Sequence, residues 1–180
     1  VASGGSGGSA GSDGGGSGGE DPDPPPDLPV LSGTSGDDTL YAGLDPESID
    51  GGAGLDTLVF GSESEWIDLR DMAASTGHAR EDELTSIEII NGGWGNDTIL
   101  LSVDVHHAEG SHDNDMLIDG PGADTLVGGY GRDTFVFAAR DGHEDVIADM
   151  ADDTIDLSAW EVRFEDLTIT QDGADVVIFV

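Results

Sequence analysis

The sequence predicts an all-β fold, a right-handed parallel β-roll in which short strands coil into a solenoid. Three observations predict this fold. A nine-residue unit with the pattern G-G-x-G-x-D-x-U-x, where U is a large apolar residue, recurs along most of the chain. Its eighth position stays apolar even in units that have lost their glycines. The chain also has 29 glycines and no cysteine, so turns are frequent and no disulfide contributes to the fold.

Individual units follow the pattern to different degrees. Those that match it at every fixed position are 51–59, 92–100 and 128–136. The unit at 119–127 departs only at its first residue, and the unit at 33–41 has Thr34 in place of the second glycine. The unit at 110–118 replaces both later glycines. Because glycine permits a positive φ that a Cβ obstructs, the full matches predict tight turns.

The register of the units supports one solenoid more strongly than any single match. Units that begin at 33, 42, 51 and 60 keep a strict nine-residue period, and a second array begins at 92, 101, 110, 119 and 128. Between the arrays the phase slips by five residues, which predicts a looped-out insertion at about 69–82. The residues at position eight are Leu40, Ile49, Leu58, Ile67, Ile99, Ala108, Leu117, Leu126 and Phe135. Each is the middle residue of a three-residue strand and should point into a narrow core.

Three parts of the chain differ in composition. Residues 1–32 are rich in Gly and Ser and then in Pro, which predicts a disordered linker. Such a linker indicates either an upstream domain of a larger protein or a tail with no partner domain. Residues 33–160 form the predicted β-roll. Residues 161–180 predict a β-hairpin that caps the end of the solenoid.

The charge excludes several classes of partner. The chain has 39 acidic residues against five basic ones, for a formal net charge of −34. Nucleic acid and anionic membrane surfaces both need clustered Lys and Arg, so neither is an expected partner. No apolar run reaches the length of a membrane span, so no membrane insertion is expected. A strongly acidic chain indicates either a solvating or disordered surface or carboxylate metal ligands, and the spacing of the acids favours the second.

The spacing predicts which carboxylates meet. Each unit divides into a six-residue turn and a three-residue strand, and position six places an Asp at the end of the turn. Two units make one coil of eighteen residues, so turns on the same side stack at every second unit. The expected pairs are Asp38 with Asp56, Asp97 with Asp115, Asp115 with Asp133, and Asp124 with Asp145.

Stacked turns of this kind predict a calcium site. Ca²⁺ takes six to eight oxygen ligands and accepts both carboxylates and backbone carbonyls. The carbonyls are expected from positions one and three of the paired turns, which are Gly33, Ser35, Gly51, Ala53, Gly92, Trp94, Gly110, His112, Gly128 and Tyr130. One ion for each well-formed pair of turns gives about three to five bound Ca²⁺ ions. Since one apolar residue in nine makes a thin core, we expect the roll to fold only when the metal binds.

Some units depart from this chemistry. His106 stands at position six of its unit, and Glu47 and Glu65 do so in theirs, so these turns are expected to bind calcium weakly or not at all. The cluster of His106, His107 and His112 raises the alternative of a zinc site, but no paired Cys or helical ligand spacing supports it. H-E-x-x-H, G-x-S-x-G and P-loop motifs are absent, and the paired acids are explained by calcium, so no catalytic residue is predicted.

The repeats closely resemble the RTX (repeats-in-toxin, haemolysin-type) calcium-binding family over residues 33 to about 157. The resemblance implies a bacterial protein that is exported by type I secretion machinery, unfolded inside the cell, and folds in the extracellular medium. It also implies a C-terminal secretion signal, for which residues 175–180 are the candidate region. The parent protein is then a secreted enzyme or toxin whose active domain lies upstream, or a non-enzymatic surface protein such as an adhesin or surface-layer component.

Overall fold

A computed structural model of the protein describes residues 28–138, 143–161, 163, 165, 168–172 and 175–179. Residues 1–27 of the predicted linker lie outside the described residues. Within the described part, the chain forms strands and short 3-10 turns, and no helix there is long and apolar enough to cross a membrane.

The strands are short, as the six-plus-three division of the repeat predicts. They are β1 (Val30–Ser32), β2 (Thr39–Tyr41), β3 (Ser48–Asp50), β4 (Thr57–Val59), β5 (Trp66–Asp68), β6 (Glu83–Thr85), β7 (Ile89–Gly93), β8 (Thr98–Leu100), β9 (His107–His112), β10 (Met116–Ile118), β11 (Thr125–Tyr130), β12 (Thr134–Val136), β13 (Val146–Ile147), β14 (Thr154–Asp156), β15 (Thr168–Asp172) and β16 (Asp175–Phe179). The 3-10 turns cover Met72–Ala74, Gly77–Ala79 and Ser158–Trp160.

The strands form two faces of a solenoid. One face is a six-stranded sheet in the order β13-β11-β9-β7-β4-β2. The other face consists of a three-stranded sheet, β1-β3-β6, and a five-stranded sheet, β14-β12-β10-β8-β5. All pairs in these sheets are parallel. The all-β fold with parallel strands is confirmed, and the architecture is consistent with a β-roll.

The core lies between the two faces and is built by position eight of the repeat. Ile49, Leu58, Ile67, Ile90, Ile99, Ala108, Leu117, Leu126 and Phe135 are all completely buried. Phe60 and Leu101, which replace the first glycine of their units, are buried as well. The core is therefore continuous through the units that have lost their glycines.

The insertion is visible in the register of the sheets. Regular neighbours such as Thr39 and Thr57 pair eighteen residues apart, whereas the contact between Glu65 and Asp97 spans 32 residues. The difference of 14 residues is the length of the predicted insertion 69–82, which contains two 3-10 turns. β5, which precedes the insertion, pairs with β8, whereas β6, which follows it, pairs with β3. The insertion thus divides this face of the solenoid into two sheets.

The first strand and the C-terminal hairpin can be compared with the predicted boundaries of the roll. Residues 30–32, which the sequence analysis placed in the linker, form β1 and pair with β3, so the linker boundary at 32 is wrong. The physical reason is that Leu31 lies nine residues before Leu40 and takes the same inward position, opposite Ile49. At the other end β15 and β16 form the predicted antiparallel hairpin.

Candidate metal centre

The turns of the solenoid stack along two edges. The stack of turns that lead into the six-stranded sheet is called the first edge. The last residues of these turns are Asp38, Asp56, Glu88, His106, Asp124 and Asp145. We call the second edge the stack that leads into the opposite face; its last residues are Glu47, Glu65, Asp82, Asp97, Asp115, Asp133 and Asp153. Because of the insertion, the pair Asp38–Asp56 lies on the first edge and Asp97–Asp115–Asp133 on the second.

Along each edge a carboxylate accepts a hydrogen bond from the preceding turn. On the second edge the backbone N–H of Asp97 donates to Asp115 Oδ1, and that of Asp115 donates to Asp133 Oδ1, each at 2.8 Å. On the first edge Asp38 N–H donates to Asp56 Oδ1 at 2.8 Å. Asp124 N–H donates to Asp145 Oδ1 at 3.0 Å. The structure therefore brings together the members of all four expected pairs.

The second carboxylate oxygen separates the turns into two kinds. In Asp56, Asp97, Asp115 and Asp133, Oδ2 is buried and has no hydrogen-bond partner. These four side chains are almost fully buried, and a buried charged oxygen without a partner is costly. A bound cation removes that cost, so the residues present fit a metal ion.

In other predicted ligands, protein groups donate hydrogen bonds to Oδ2, and in one of them both carboxylate oxygens have a partner. Asp38 Oδ2 accepts hydrogen bonds from the Thr34 backbone N–H and hydroxyl at 2.6 and 2.8 Å. Asp124 Oδ2 accepts from Gly120 N–H at 2.9 Å, and its Oδ1 lies 2.8 Å from His106 Nδ1. These carboxylates are stabilised by the protein itself.

The electrostatics of the second edge agree with this division. Burial raises the pKa of Asp97 and of Asp115 to about 7, and neighbouring carboxylates add to the rise. Burial likewise raises the pKa of Asp133, with Asp153 and Asp149 contributing. Three stacked acids in one buried row therefore repel one another when they are ionised. A divalent cation between the turns would offset that repulsion.

The glycines make room for this arrangement. At Gly128, the first position of its turn, an added Cβ would overlap Asp133 Oδ2 and Cγ. At Gly131, the fourth position, φ is 156° and a Cβ would overlap the Asp113 carbonyl in the turn below. Ser111 and Asp113 hold positions two and four of their own turn with φ of 83° and 76°. That turn therefore adopts the repeat geometry with side chains that disfavour it.

The position-three residues predicted to supply carbonyls lie in these stacked turns. On the second edge the Trp94 ring stacks on His112 with centroids 4.1 Å apart, and the Tyr130 ring lies tilted against His112 with centroids 5.4 Å apart. On the first edge Ala53 N–H donates to the Thr34 carbonyl at 3.1 Å, so the turns containing Gly33, Ser35 and Gly51 are in direct contact. Gly92, Gly110 and Gly128 are each adjacent to the Asp carboxylate of their own turn.

Sequence reasoning missed three acids that continue the two edges. Glu88 Oε2 accepts from Asp56 N–H at 2.9 Å, Asp82 Oδ1 from Glu47 N–H at 2.8 Å, and Asp153 Oδ1 from Asp133 N–H at 2.8 Å. Their spacings of 32, 35 and 20 residues hide them from an eighteen-residue rule. The signal for Asp153 is an Asp-Thr pair followed by a large apolar residue, which also occurs at Asp56, Asp97 and Asp133.

Asp82 differs from the four unpaired acids although its Oδ2 is also buried without a partner. Burial raises its pKa to about 6, and the charges of Glu47 and Glu65 add to the rise. Asp82 is the last residue of the insertion and follows its second 3-10 turn, Gly77–Ala79. It therefore lies outside the nine-residue units that contain the four other acids.

The alternative of a zinc site finds no support in the described residues. His106 contacts Asp124, His107 lies 3.4 Å from Glu109, and His112 stacks on Trp94. Across the part of the chain that the structure describes, no three His, Asp or Glu side chains converge on one point. The unpaired oxygens of Asp56, Asp97, Asp115 and Asp133, each in a turn that begins with a glycine, instead suit Ca²⁺, which accepts backbone carbonyl ligands.

The family of the repeats agrees with the geometry. The family model of the RTX calcium-binding nonapeptide repeat matches the chain in four copies, over residues 30–63, 89–102 and 109–139. These residues include Asp56, Asp97, Asp115 and Asp133, four of the five described acids with a buried unpaired oxygen, whereas Asp82 lies outside them. No curated protein matches the chain. The glycine turns, the stacked acids and the matched repeats together show that the chain contains RTX-type calcium-binding repeats.

Proposed function

We propose that this calcium-binding repeat module is a folding switch, which stays unfolded at low Ca²⁺ and forms the β-roll when Ca²⁺ binds outside the cell. It would support the export and the stability of a larger secreted protein whose active domain lies elsewhere. The expected partners are calcium ions, the type I secretion machinery and an upstream domain. No catalytic role is proposed, since the repeats and the solenoid are structural elements.

The observation that carries the proposal is the row of Asp97, Asp115 and Asp133 on the second edge. Each is almost fully buried, each has one oxygen without a partner, and burial raises the pKa of each. A fold that buries such groups without a counter-charge is unfavourable. Cation binding therefore contributes directly to the free energy of folding.

The proposed ion positions follow the unpaired oxygens. One ion between Asp97 and Asp115, a second between Asp115 and Asp133, and a third at Asp56 account for all four acids. Backbone carbonyls of positions one and three would complete each shell, as Ca²⁺ requires. Sites at Asp38 and at Asp124 with Asp145 remain proposals of lower occupancy, because protein donors already hold Asp38 and Asp124.

The thin core supports metal-dependent folding. Most nine-residue units bury one large apolar side chain at position eight, and burial of one side chain cannot offset the ordering of nine residues. The net charge of −34 adds self-repulsion in the compact state. Low cytosolic Ca²⁺ would thus keep the chain unfolded for export, and the extracellular concentration would fold it.

The test is a titration of Ca²⁺ into chelated protein, followed by far-UV circular dichroism. We expect a cooperative transition from coil to β structure at roughly 10⁻⁴–10⁻³ M Ca²⁺, the range of extracellular modules. Mg²⁺ should give no such transition, because its small octahedral shell does not suit carbonyl-rich turns. A chain that is already folded in chelator, or that ignores Ca²⁺, would show the proposal to be wrong.

A further inference from the structure

One turn of the second edge is completed by the insertion and not by glycines. This is the turn 60–65, which ends at Glu65. The Glu65 side chain is completely buried, and its backbone N–H donates to Asp97 Oδ1 at 2.7 Å. Glu65 therefore stands directly beneath the row of unpaired acids and belongs to the same stack.

Unlike the acids above it, Glu65 has a protein partner for each oxygen. The backbone N–H of His78 donates to Glu65 Oε2 at 2.9 Å. The ring Nδ1 of His78 contacts Oε1. Since an ionised carboxylate can only accept hydrogen bonds, Nδ1 must carry a proton. The His78 side chain is 13% exposed, so both contacts are shielded from water.

The backbone of the insertion is shaped to bring His78 this close. Gly77 has a φ of 67°, and a Cβ there would overlap the Glu65 carboxylate. On the other side the ring lies against Gly61, where an added Cβ would overlap it. At position one of the turn the usual glycine is replaced by Phe60, which is buried in the core. Ring, carboxylate and backbone thus fill this turn.

We infer that His78 takes the place of the calcium ion in the turn 60–65. The insertion supplies two N–H donors to a buried carboxylate that would otherwise need a cation. This turn then binds no Ca²⁺ and forms the metal-independent base on which Asp97, Asp115 and Asp133 stack. The inference rests on the proposed function, because it assigns which turns of the second edge hold ions.

The number of bound Ca²⁺ ions tests this assignment. Equilibrium dialysis with metal analysis would be run on the full chain and on Glu65→Gln, Asp97→Asn and Glu109→Gln, each at saturating Ca²⁺. Glu65→Gln should bind as many ions as the unmodified protein, and Asp97→Asn should bind at least one fewer. Glu109→Gln is the matched control, because Glu109 also faces a His but lies in β9, outside the turns.

The outcomes separate the two proposals. A loss of one ion in Glu65→Gln, with Glu109→Gln unchanged, would overturn the role of His78 and leave calcium binding by the Asp row intact. An unchanged ion count in Asp97→Asn would overturn the proposed function itself.

A second measurement needs no variant and decides the question if Glu65→Gln does not fold. In a ¹H–¹⁵N spectrum of the Ca²⁺-loaded protein, His78 Nδ1 should carry a proton that exchanges slowly with water. A rapidly exchanging His78 ring in the loaded state would show that an ion has displaced it from Glu65.

Discussion

The second edge at Asp97, Asp115 and Asp133 differs from the first edge at Asp38 and Asp56, although the two stretches share the same repeat. On the second edge all three acids keep a buried oxygen without a partner. On the first edge only Asp56 does, because the Thr34 backbone and hydroxyl hold Asp38. The row of Asp56 then continues to Glu88, in a turn without glycines.

The difference shows what distinguishes a turn that needs an ion from one that does not. In Asp56, Asp97, Asp115 and Asp133 no protein group donates a hydrogen bond to Oδ2, so a cation would be needed to neutralise the buried carboxylate. A hydroxyl from Thr34 or a ring from His78 or His106 provides the missing donor from the protein. Small changes of residue type within one repeat can therefore exchange metal binding for internal hydrogen bonding.

The largest effect is expected from neutralising the middle acid of the second-edge row. Asp115→Asn removes a carboxylate that faces two neighbouring turns, so the Ca²⁺ midpoint of folding should rise by about 10- to 100-fold. Asp38→Asn changes an acid already held by Thr34 and should raise the midpoint by less than about threefold. Circular dichroism titrations measure both. Equal shifts would contradict the distinction between the two edges.

A Cβ placed beside an unpaired oxygen should have the next largest effect. Gly128→Ala places a methyl group on Asp133 Oδ2 and should lower the free energy of unfolding in saturating Ca²⁺ by about 2 kcal/mol. Gly36→Ala is the control, because nothing lies within 4 Å of that Cβ, and it should stay within about 0.5 kcal/mol. Urea unfolding measures both; an unaffected Gly128→Ala protein would mean that the turn is wider than described.

In chelator, acid should partly replace the metal on the second edge. The pKa of Asp97 and of Asp115 is about 7 in the fold, whereas an unfolded Asp titrates near pH 4. A raised folded pKa stabilises the fold below the unfolded value, and this stabilisation is lost as the pH rises through about 7.

Amide exchange measures this effect separately for the two arrays. After correction for intrinsic rates, protection of residues 92–136 should be about fivefold higher at pH 5 than at pH 8. Residues 33–59 should gain less, since the row of raised pKa values lies on the second edge. Protection that increases with pH would contradict the burial of these acids.

The smallest effect is expected from relieving the backbone of the turn 110–115. Ser111→Gly removes a side chain at a φ of 83° and should stabilise the Ca²⁺-loaded roll by about 1 kcal/mol. Ser102 holds the same position of its unit, but its hydroxyl accepts hydrogen bonds from Asp104 and Val105. Ser102→Gly should therefore destabilise the roll. Thermal unfolding measures the stability of both variants. Stability changes of the same sign in the two variants would contradict this reasoning.

Much of the candidate site could be predicted because the repeat is strictly periodic. An eighteen-residue rule is enough to place Asp97, Asp115 and Asp133 in one row. The rule fails where the period breaks. Glu88 lies beyond the insertion, Asp82 is its last residue, and Asp153 follows a spacing of 20, so no fixed offset finds them. The predicted start of the roll is three residues late for a related reason, since β1 has no glycine turn before it.

The sequence by itself determined the all-β solenoid, the inward position eight and the partners of the regular acids, because a period of nine allows only one stacking of turns. Only the tertiary structure decided which edge each array occupies and which oxygens lack a partner. Both depend on where the insertion places its residues. His78 contacts Glu65 because the 14-residue insertion, which carries no repeat, folds back onto that turn. The contact of Thr34 with Asp38 depends on side-chain geometry within one turn.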